Sequence, residues 1–512
     1  MSRQYITTAI DYPNAAPHMG HVLEKVLADV CARWFRLRGD DVLFQIGTDE
    51  HGTKMQRAAD KDGIDPQALA DKNVPLFTDL YDRLDISHDR FIRTTDQKVH
   101  WPTVVEIWKK LADAGMLEKR SYKGLYCSGC ERFMVARDLV DGLCPDHQVA
   151  PEEVAEENYF FLMSKDTENL KNLLTKQWDG ESYRIVPSFR EKETLALLEQ
   201  GLEDVSFSRP TSSLSWGVPV PDDDEHTMYV WCDALTNYIS GLGYFTDHEE
   251  REWWDDAKVT HVIGKDIARF HALIWPSMLK HAGVRTPDVL LIHGFLTSEG
   301  EKMSKSTGNV VIPDDVLEKF GGNPDPIRFY LSHEIPVGND GDFSWDRFEK
   351  LYDAKLRNAL GNLLNRVLIL IQKEGGSISI PDSPSDSKQA QEGWEKYQKS
   401  MDVFEVHNGI QQAMALVDVL NGAIDSTKPW TLEGEEKVAL LSRFAESLRH
   451  VSLMLLPFVP QTAQAIATQL GVPYAKSMTE KDFVITEQMK EFGGQKDWQS
   501  IGEPSILFAP LS

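Results

Sequence analysis

Residues Gln4-Tyr-Ile-Thr-Thr-Ala-Ile10 are apolar and β-branched, and the next four, Asp11-Tyr-Pro-Asn14, are turn formers, so a strand is predicted to end there. From His18 the spacing changes: Val22, Leu23, Val26, Leu27, Val30, Trp34 and Phe35 recur at helical period, and Gly39 closes the run. Val42 to Ile46 returns as a strand. Strand, helix and strand of these lengths predict a right-handed parallel crossover with ligands at the carboxyl ends of the strands. Beyond about residue 345 the strand signal vanishes. Asp342-Phe-Ser344 offers a helix N-cap, and Trp345 to Lys373 then keeps helical period through Phe348, Leu351, Leu356, Leu360, Leu363, Leu364 and Val367. A loop rich in Gly, Ser, Pro and Asp spans Gly375 to Ser387, and amphipathic helices follow to about 470, which predicts a helix bundle.

Length and composition bound this picture. A chain of 512 residues is too long for one core, and at ~150 residues per domain two to four are expected. With 41% apolar and 26% charged residues, disorder, collagen-like repeats and coiled coil drop out. No internal repeat or long low-complexity tract is present. The balance of 54 Lys and Arg against 80 Asp and Glu gives −26, which taken alone argues against a nucleic-acid partner. Net charge is a sum over surfaces, however, and residues 357–512 hold 14 basic and 19 acidic side chains, so most of the excess lies elsewhere. The longest apolar stretches, such as Val367 to Ile371 and Val451 to Leu456, fall far short of the ~20 residues that span a bilayer. The N-terminus has no signal-peptide core, and a strand from Arg3 leaves no room for a transit peptide. Five cysteines, at 31, 127, 130, 144 and 232, are too few and too uneven for a disulfide framework, so a reducing, cytoplasmic compartment is expected.

Two strings carry chemistry. His18-Met19-Gly20-His21 stands at the start of the first helix, where free backbone N–H groups and the positive end of the helix dipole favour a phosphate. Gly20 removes a side chain where a ligand could approach closely, and the two histidines share one helix face. HxGH alone also fits a cytidylyltransferase. Glu301-Lys302-Met303-Ser304-Lys305-Ser306-Thr307-Gly308-Asn309 is a polar, glycine-bounded loop with ammonium groups three residues apart, suited to the charge that develops as pyrophosphate leaves. With HxGH and KMSKS in this order, the chain resembles the class I aminoacyl-tRNA synthetases. That resemblance implies a Rossmann fold, ATP with Mg²⁺, an aminoacyl-adenylate and esterification of a tRNA 3′ end. It makes His18, Gly20, His21, Lys302, Met303, Ser304 and Lys305 the ATP-binding set, with the two histidines and two lysines catalytic.

Further strings narrow the family: Gly47-Thr-Asp-Glu-His-Gly52, Val230-Trp-Cys-Asp-Ala-Leu-Thr-Asn-Tyr238, and Ile263-Gly-Lys-Asp-Ile267 leading to His271. Together they resemble the methionyl-tRNA synthetases. This implies that Ile10, Tyr12, Trp231, Ala234, Leu235, Tyr238, Ile267 and His271 wall the methionine side chain. It also implies that Asp49 accepts from the α-amino group and that Arg209 lies near the adenylate. The residue types suit the ligand, since a thioether offers little hydrogen bonding and its pocket must rely on aromatic faces and fit. His51 fits backbone support of its turn as well as ligand contact. Isoleucyl, valyl and leucyl enzymes carry a large editing insertion, because one methylene gives only ~1–3 kcal/mol of discrimination; the segment 116–228 here is too short for one.

Cys127-x₂-Cys130-x₁₃-Cys144-x₂-His147 has the spacing of two tight turns presenting four ligands to one tetrahedral Zn²⁺. A Cys₃His shell is closed, so that ion is expected to be structural. In the C-terminal helices the resemblance places anticodon contacts at Asn362, Arg366 and Trp430, where an indole can stack on a splayed base and Arg and Asn can read its edges. The expected organisation is a Rossmann-type parallel α/β sheet in two halves (1–115 and 229–310) split by a zinc-knuckle connective insertion (116–228). A junction after KMSKS (311–355) and an all-α anticodon-binding domain (356–512) follow. Expected partners are L-methionine, ATP and initiator and elongator tRNA(Met), with no membrane and a monomeric state. Binding of tRNA would run along a local basic path through Lys302, Lys305, Lys355, Arg357 and Arg366. Two rivals stay open on residues alone: a non-catalytic RNA-binding factor built on a synthetase that has lost its activity, and another nucleotidyltransferase or a cysteinyl or leucyl synthetase.

Overall fold

A parallel crossover leaves both faces of its sheet to be covered by helices, so its strands bury every position. In the computed structural model, Arg3–Thr8 is buried at every position but its first, and the following helix, Met19–Leu37, is buried along nearly its whole length. The structure describes residues 2–127, 132–134, 139–145, 148–175, 183–248, 250–298, 300–302, 311–380, 384–495, 498–499 and 501–511.

Six parallel strands form the main sheet, in the spatial order Arg90–Arg93, Asp41–Thr48, Arg3–Thr8, Lys258–Gly264, Val289–His293 and Arg184–Val186. Arg3–Thr8 is the centre: Gln4 pairs with Val42 on one side and with Lys258 on the other. The chain leaves the central strand to pair on one side with Asp41–Thr48 and returns to its other side only about 250 residues later, where Thr8 pairs with Val262. Order therefore reverses at this strand, and the loops beyond the carboxyl ends part to leave a crevice. The mixed α/β fold with a parallel sheet is as expected. One placement differs: Arg184–Val186, inside the segment expected to be wholly insertion, returns to the main sheet as its edge strand, pairing with Val289–Leu291. A three-residue edge strand carries no periodicity by which it can be read.

The segment between the halves is built on a long antiparallel pair, Leu117–Cys127 with Glu152–Phe161, in register from Leu117–Phe161 to Tyr126–Glu152. Trp345–Leu351, a π-helical stretch Tyr352–Gly361 and Asn362–Lys373 run on from one another, so the predicted continuous helix is present with a wider turn in its middle. Ser344 caps it, accepting from the Arg347 N–H. Helices Pro384–Asp402, Val406–Thr427, Gly434–Leu455 and Pro460–Gln469 complete the bundle. Among the described residues no helix is long and apolar enough to cross a membrane.

The bundle is joined to the first helix through buried charge. Arg328, fully buried, sits 2.6 Å from Asp29 of Met19–Leu37 and donates to the carbonyls of Phe458 and Pro457. Asp29 also holds Arg33 at 2.8 Å, so each buried ion has a partner, as burial requires.

Candidate active site

Met19–Leu37 begins at His18, whose extended backbone (φ −133°, ψ 173°) makes it the N-cap. His18 Nδ1 accepts from the Gly20 N–H at 3.1 Å, and His21 Nδ1 accepts from the His18 N–H at 3.0 Å. The two rings stack with centroids 3.9 Å apart. A Cβ added at Gly20 would lie 2.9 Å from His18 Cε1, so the glycine makes room for the His18 ring as well as for a ligand. Burial, helped by the Lys25 ammonium, lowers His21 to about 4, so its ring is neutral near pH 7. Lys25 itself is buried behind the motif, bonded to Asp11, Glu24 and the Ala9 carbonyl at 2.8–3.0 Å.

The ends of four strands open onto one cavity of about 650 Å³. His18, Gly20 and His21 line it, together with all nine residues expected around methionine, Ile10, Tyr12, Asp49, Trp231, Ala234, Leu235, Tyr238, Ile267 and His271. Asp49, just past strand Asp41–Thr48, is 2% exposed. Trp231 lies flat on Phe270, with centroids 3.7 Å apart and planes 11° from parallel. The Tyr238 hydroxyl is 2.6 Å from His271 Nε2, and His271 Nδ1 is 3.0 Å from the Ile267 carbonyl. That carbonyl can only accept, so Nδ1 carries the proton and Tyr238 donates to Nε2. Burial lowers His271 to about 4, which agrees with a neutral ring. Phe270–Ile274 forms a π-helical turn, a local irregularity common at ligand sites.

Other residues on the cavity wall carried no motif signal of their own. Lys54 lines it with its ammonium 4.4 Å from the Tyr12 ring centroid. Glu24, Phe270 and His293 also line it, as does Asp266 of the Ile263–Ile267 string, to which the string alone assigns no role. A Cβ at Gly264 would meet Asp266 Oδ1 at 2.6 Å, so the glycine at the strand end lets that carboxylate lean over the crevice. Arg209 is not brought to the cavity. It is buried in the neighbouring sheet, 3.0 Å from Glu156 and with its guanidinium 4.0 Å from the Tyr126 ring centroid.

The KMSKS segment is partly described. Glu301–Lys302 pairs antiparallel with Leu296–Ser298, which continues directly from cavity residues His293 to Leu296. Asp342 Oδ1 accepts from Gly300 N–H and Thr297 Oγ1, both at 2.7 Å, and so fixes the turn that leads into the motif. Met303, Ser304 and Lys305 lie outside the described residues, as does the side chain of Lys302.

Two of the four expected zinc ligands, Cys127 and Cys144, are fully buried in one small cluster with Met134 and Leu139. Cys130 and His147 lie outside the described residues. In the bundle, Arg366 and Trp430 come together, the guanidinium 5.8 Å from the indole centroid, and Trp430 is 51% exposed. Asn362 is exposed one helical turn before Arg366. The basic path is not a row of bare cations: Lys355 pairs with Asp418, Arg357 with Asp353 and Arg366 with Asp425. Each of these three cations has a carboxylate within 3.2 Å, which the residue count alone does not reveal.

Comparison with known proteins agrees with this geometry. The family model for class I tRNA synthetases (M) matches residues 4–153 and 147–368. The methionine–tRNA ligase of Caldanaerobacter subterraneus subsp. tengcongensis is 40% identical, over 98% of this chain and 78% of that protein. That of Streptomyces coelicolor is 39% identical, over 91% of this chain and 89% of that protein. Among solved structures, Mycobacterium tuberculosis methionyl-tRNA synthetase in complex with methionyl-adenylate superimposes with a TM-score of 0.89 at 34% identity, covering 99% of this chain and all of that one. The free form of the same enzyme gives 0.82 at 31% identity, covering all of this chain and 99% of that one. Motif, cavity and full-length likeness converge: the chain belongs to the methionyl-tRNA synthetases of class I.

Proposed function

We propose that this chain activates L-methionine with ATP to methionyl-adenylate and transfers the methionyl group to the 3′ end of initiator and elongator tRNA(Met). In the first step a methionine carboxylate oxygen attacks the α-phosphorus in line, and pyrophosphate leaves. In the second a 3′-terminal ribose hydroxyl attacks the carbonyl, and AMP leaves. The observation that carries this reading is the single cavity lined by both HxGH histidines and all nine methionine-pocket candidates.

Each residue has a physical role. Both Nδ1 atoms of the HxGH pair accept from the backbone, which leaves Nε2–H of each neutral ring as a donor for phosphate oxygens. Gly20 keeps the two rings in that arrangement. Lys302 and Lys305 close over the leaving pyrophosphate, with Met303 and Ser304 carrying them, and the Mg²⁺ that accompanies ATP neutralises charge. Asp49 takes the α-ammonium group. Ile10, Tyr12, Trp231, Ala234, Leu235, Tyr238, Ile267 and His271 enclose the thioether. No protein group needs to act as nucleophile, because the substrate supplies its own carboxylate.

Cys127, Cys130, Cys144 and His147 would hold one structural Zn²⁺; the burial of Cys127 and Cys144 in one cluster suits thiolate ligation. Bound there, the ion would tie the two turns of the insertion together. Asn362, Arg366 and Trp430 form the anticodon surface, supported by the contact of Arg366 with the half-exposed indole. The domain limits proposed are those drawn from the sequence, with 116–228 also lending its edge strand to the catalytic sheet. Pyrophosphate exchange into ATP tests the reading: exchange that depends on methionine supports it, and no exchange with any amino acid would favour the non-catalytic RNA-binding rival.

A further inference from the structure

Behind the cavity wall lies a buried polar group that none of these roles uses. Asp233 accepts from two imidazoles, with Oδ2 2.6 Å from His51 Nδ1 and Oδ1 2.6 Å from His100 Nε2. The other nitrogen of His100 lies 2.7 Å from Ser240 Oγ. Asp233, His51, His100 and Ser240 are each at most 2% exposed. The His51 ring is further held between Trp101 and Trp216, with centroids 6.0 and 5.4 Å away. Burial by itself would raise the Asp233 carboxyl, yet the two imidazoles bring it down to about 2, so it stays an anion.

The four side chains come from three stretches of chain, since Asp233 and Ser240 are seven residues apart, and two of those stretches also line the cavity. His51 stands two residues beyond Asp49. Asp233 sits on the short helix Val230–Leu235 between Trp231 and the pair Ala234 and Leu235, all three on the cavity wall. One carboxylate thus spans from the turn that carries the ammonium partner to the helix that carries the apolar wall. His100, at the start of helix Trp101–Asp113, holds the carboxylate's second oxygen so that it cannot rotate away from His51.

We propose that Asp233 is a positioning residue that, through His51 and braced by His100, sets the distance between Asp49 and the Trp231 wall and so sets affinity for an amino acid with an apolar side chain. This rests on the reading of the cavity as the methionine site. A displacement of about 1 Å far from the reacting atoms can cost ~100-fold, so a loosened brace has a measurable effect without any contact with substrate. The role also accounts for His51, which fits neither the pocket wall nor a chance position.

The test uses methionine-dependent pyrophosphate exchange in the full chain. Asp233→Asn cannot accept from both imidazoles and is expected to lower kcat/KM for methionine ~10-fold or more, with KM for ATP within about twofold. His51→Leu removes the donor and is expected to match it. His51→Asn restores an N–H near the Nδ1 position and is expected to recover most of the loss. The discriminating probe is 4-(methylthio)butanoate, the methionine skeleton without its ammonium group. Its inhibition constant is expected to change less than twofold in the variants, because it makes no demand on Asp49. Equal weakening of methionine, the analogue and ATP would overturn the proposal, as would His51→Leu with wild-type kinetics. If Asp233→Asn fails to fold, the two His51 variants carry the test. Absence of methionine-dependent exchange in the wild-type chain would instead overturn the reading of the cavity itself.

Discussion

His18 and His21 cap one helix end reciprocally, each ring accepting a backbone N–H through Nδ1, with the rings stacked at 3.9 Å. The motif therefore does two jobs. It satisfies donors that a helix N-terminus leaves open, and it fixes which ring nitrogen carries the proton. The donors that remain, at Nε2, are those available to phosphate.

Substitutions at His21 separate these jobs. Asn at 21 offers an acceptor near the Nδ1 position and no donor at Nε2; Gln offers the reverse. His21→Asn is expected to lower kcat for exchange by roughly 100-fold, the usual cost of one transition-state donor, with KM for ATP little changed. His21→Gln is expected to keep more activity and lose ~0.5–1 kcal/mol of stability. Steady-state exchange kinetics and thermal unfolding read the two effects. Equal loss of ground-state ATP binding in His21→Asn would contradict the assignment.

The pH dependence of stability follows from the buried imidazoles. His21 and His271 fall from an ordinary 6.5 to about 4 in the folded chain, so the unfolded state takes up protons first. Their contribution is fully present above pH 6.5 and is lost as pH falls from there through about 4. Paired carboxylates such as Asp233 and Glu446, both near 2 when folded, lose theirs only at lower pH, below their unfolded values. Thermal unfolding is expected to show a falling midpoint between pH 6.5 and 4.5, and His271→Gln is expected to flatten that slope. An unchanged slope in the variant would remove His271 from the cause.

Much of this was legible in the residues, and the reasons differ from place to place. The strand at Arg3, the helix from Met19 and the HxGH string announce themselves because period and chemistry coincide there. Nine pocket residues were reached through the family strings and found on one cavity wall. Phe270 was not, because a single aromatic beside His271 reads as core until its stacking on Trp231 is seen. Asp233 lies within one of those strings, yet nothing there assigns it a role, because its significance lies in two histidines 182 and 133 residues away in the chain. Arg184–Val186 was invisible because three residues at a sheet edge have no pattern. Arg209 was placed by resemblance, and in the structure its charge is engaged by Glu156 away from the cavity.

If the proposed knuckle holds zinc, the insertion depends on that ion. About one zinc per chain is expected by atomic absorption, with Cys127→Ala and Cys144→Ala each abolishing it. Chelation is expected to unfold the insertion and lower aminoacylation indirectly. Zinc-free protein with unchanged secondary structure and activity would contradict the knuckle.

In the helical region, Trp430→Ala is expected to weaken tRNA(Met) binding by ~1–3 kcal/mol, the value of one stacked base. Methionine-dependent exchange, which needs no tRNA, should be unaffected. Loss of both together would place Trp430 in folding instead of recognition.

The most direct measurement is pyrophosphate exchange into ATP, run with each amino acid in turn on the full chain. The account predicts exchange with methionine and, at equal concentration, little with isoleucine, leucine, valine or cysteine. Exchange driven by another amino acid better than by methionine, or no exchange with any, would contradict it.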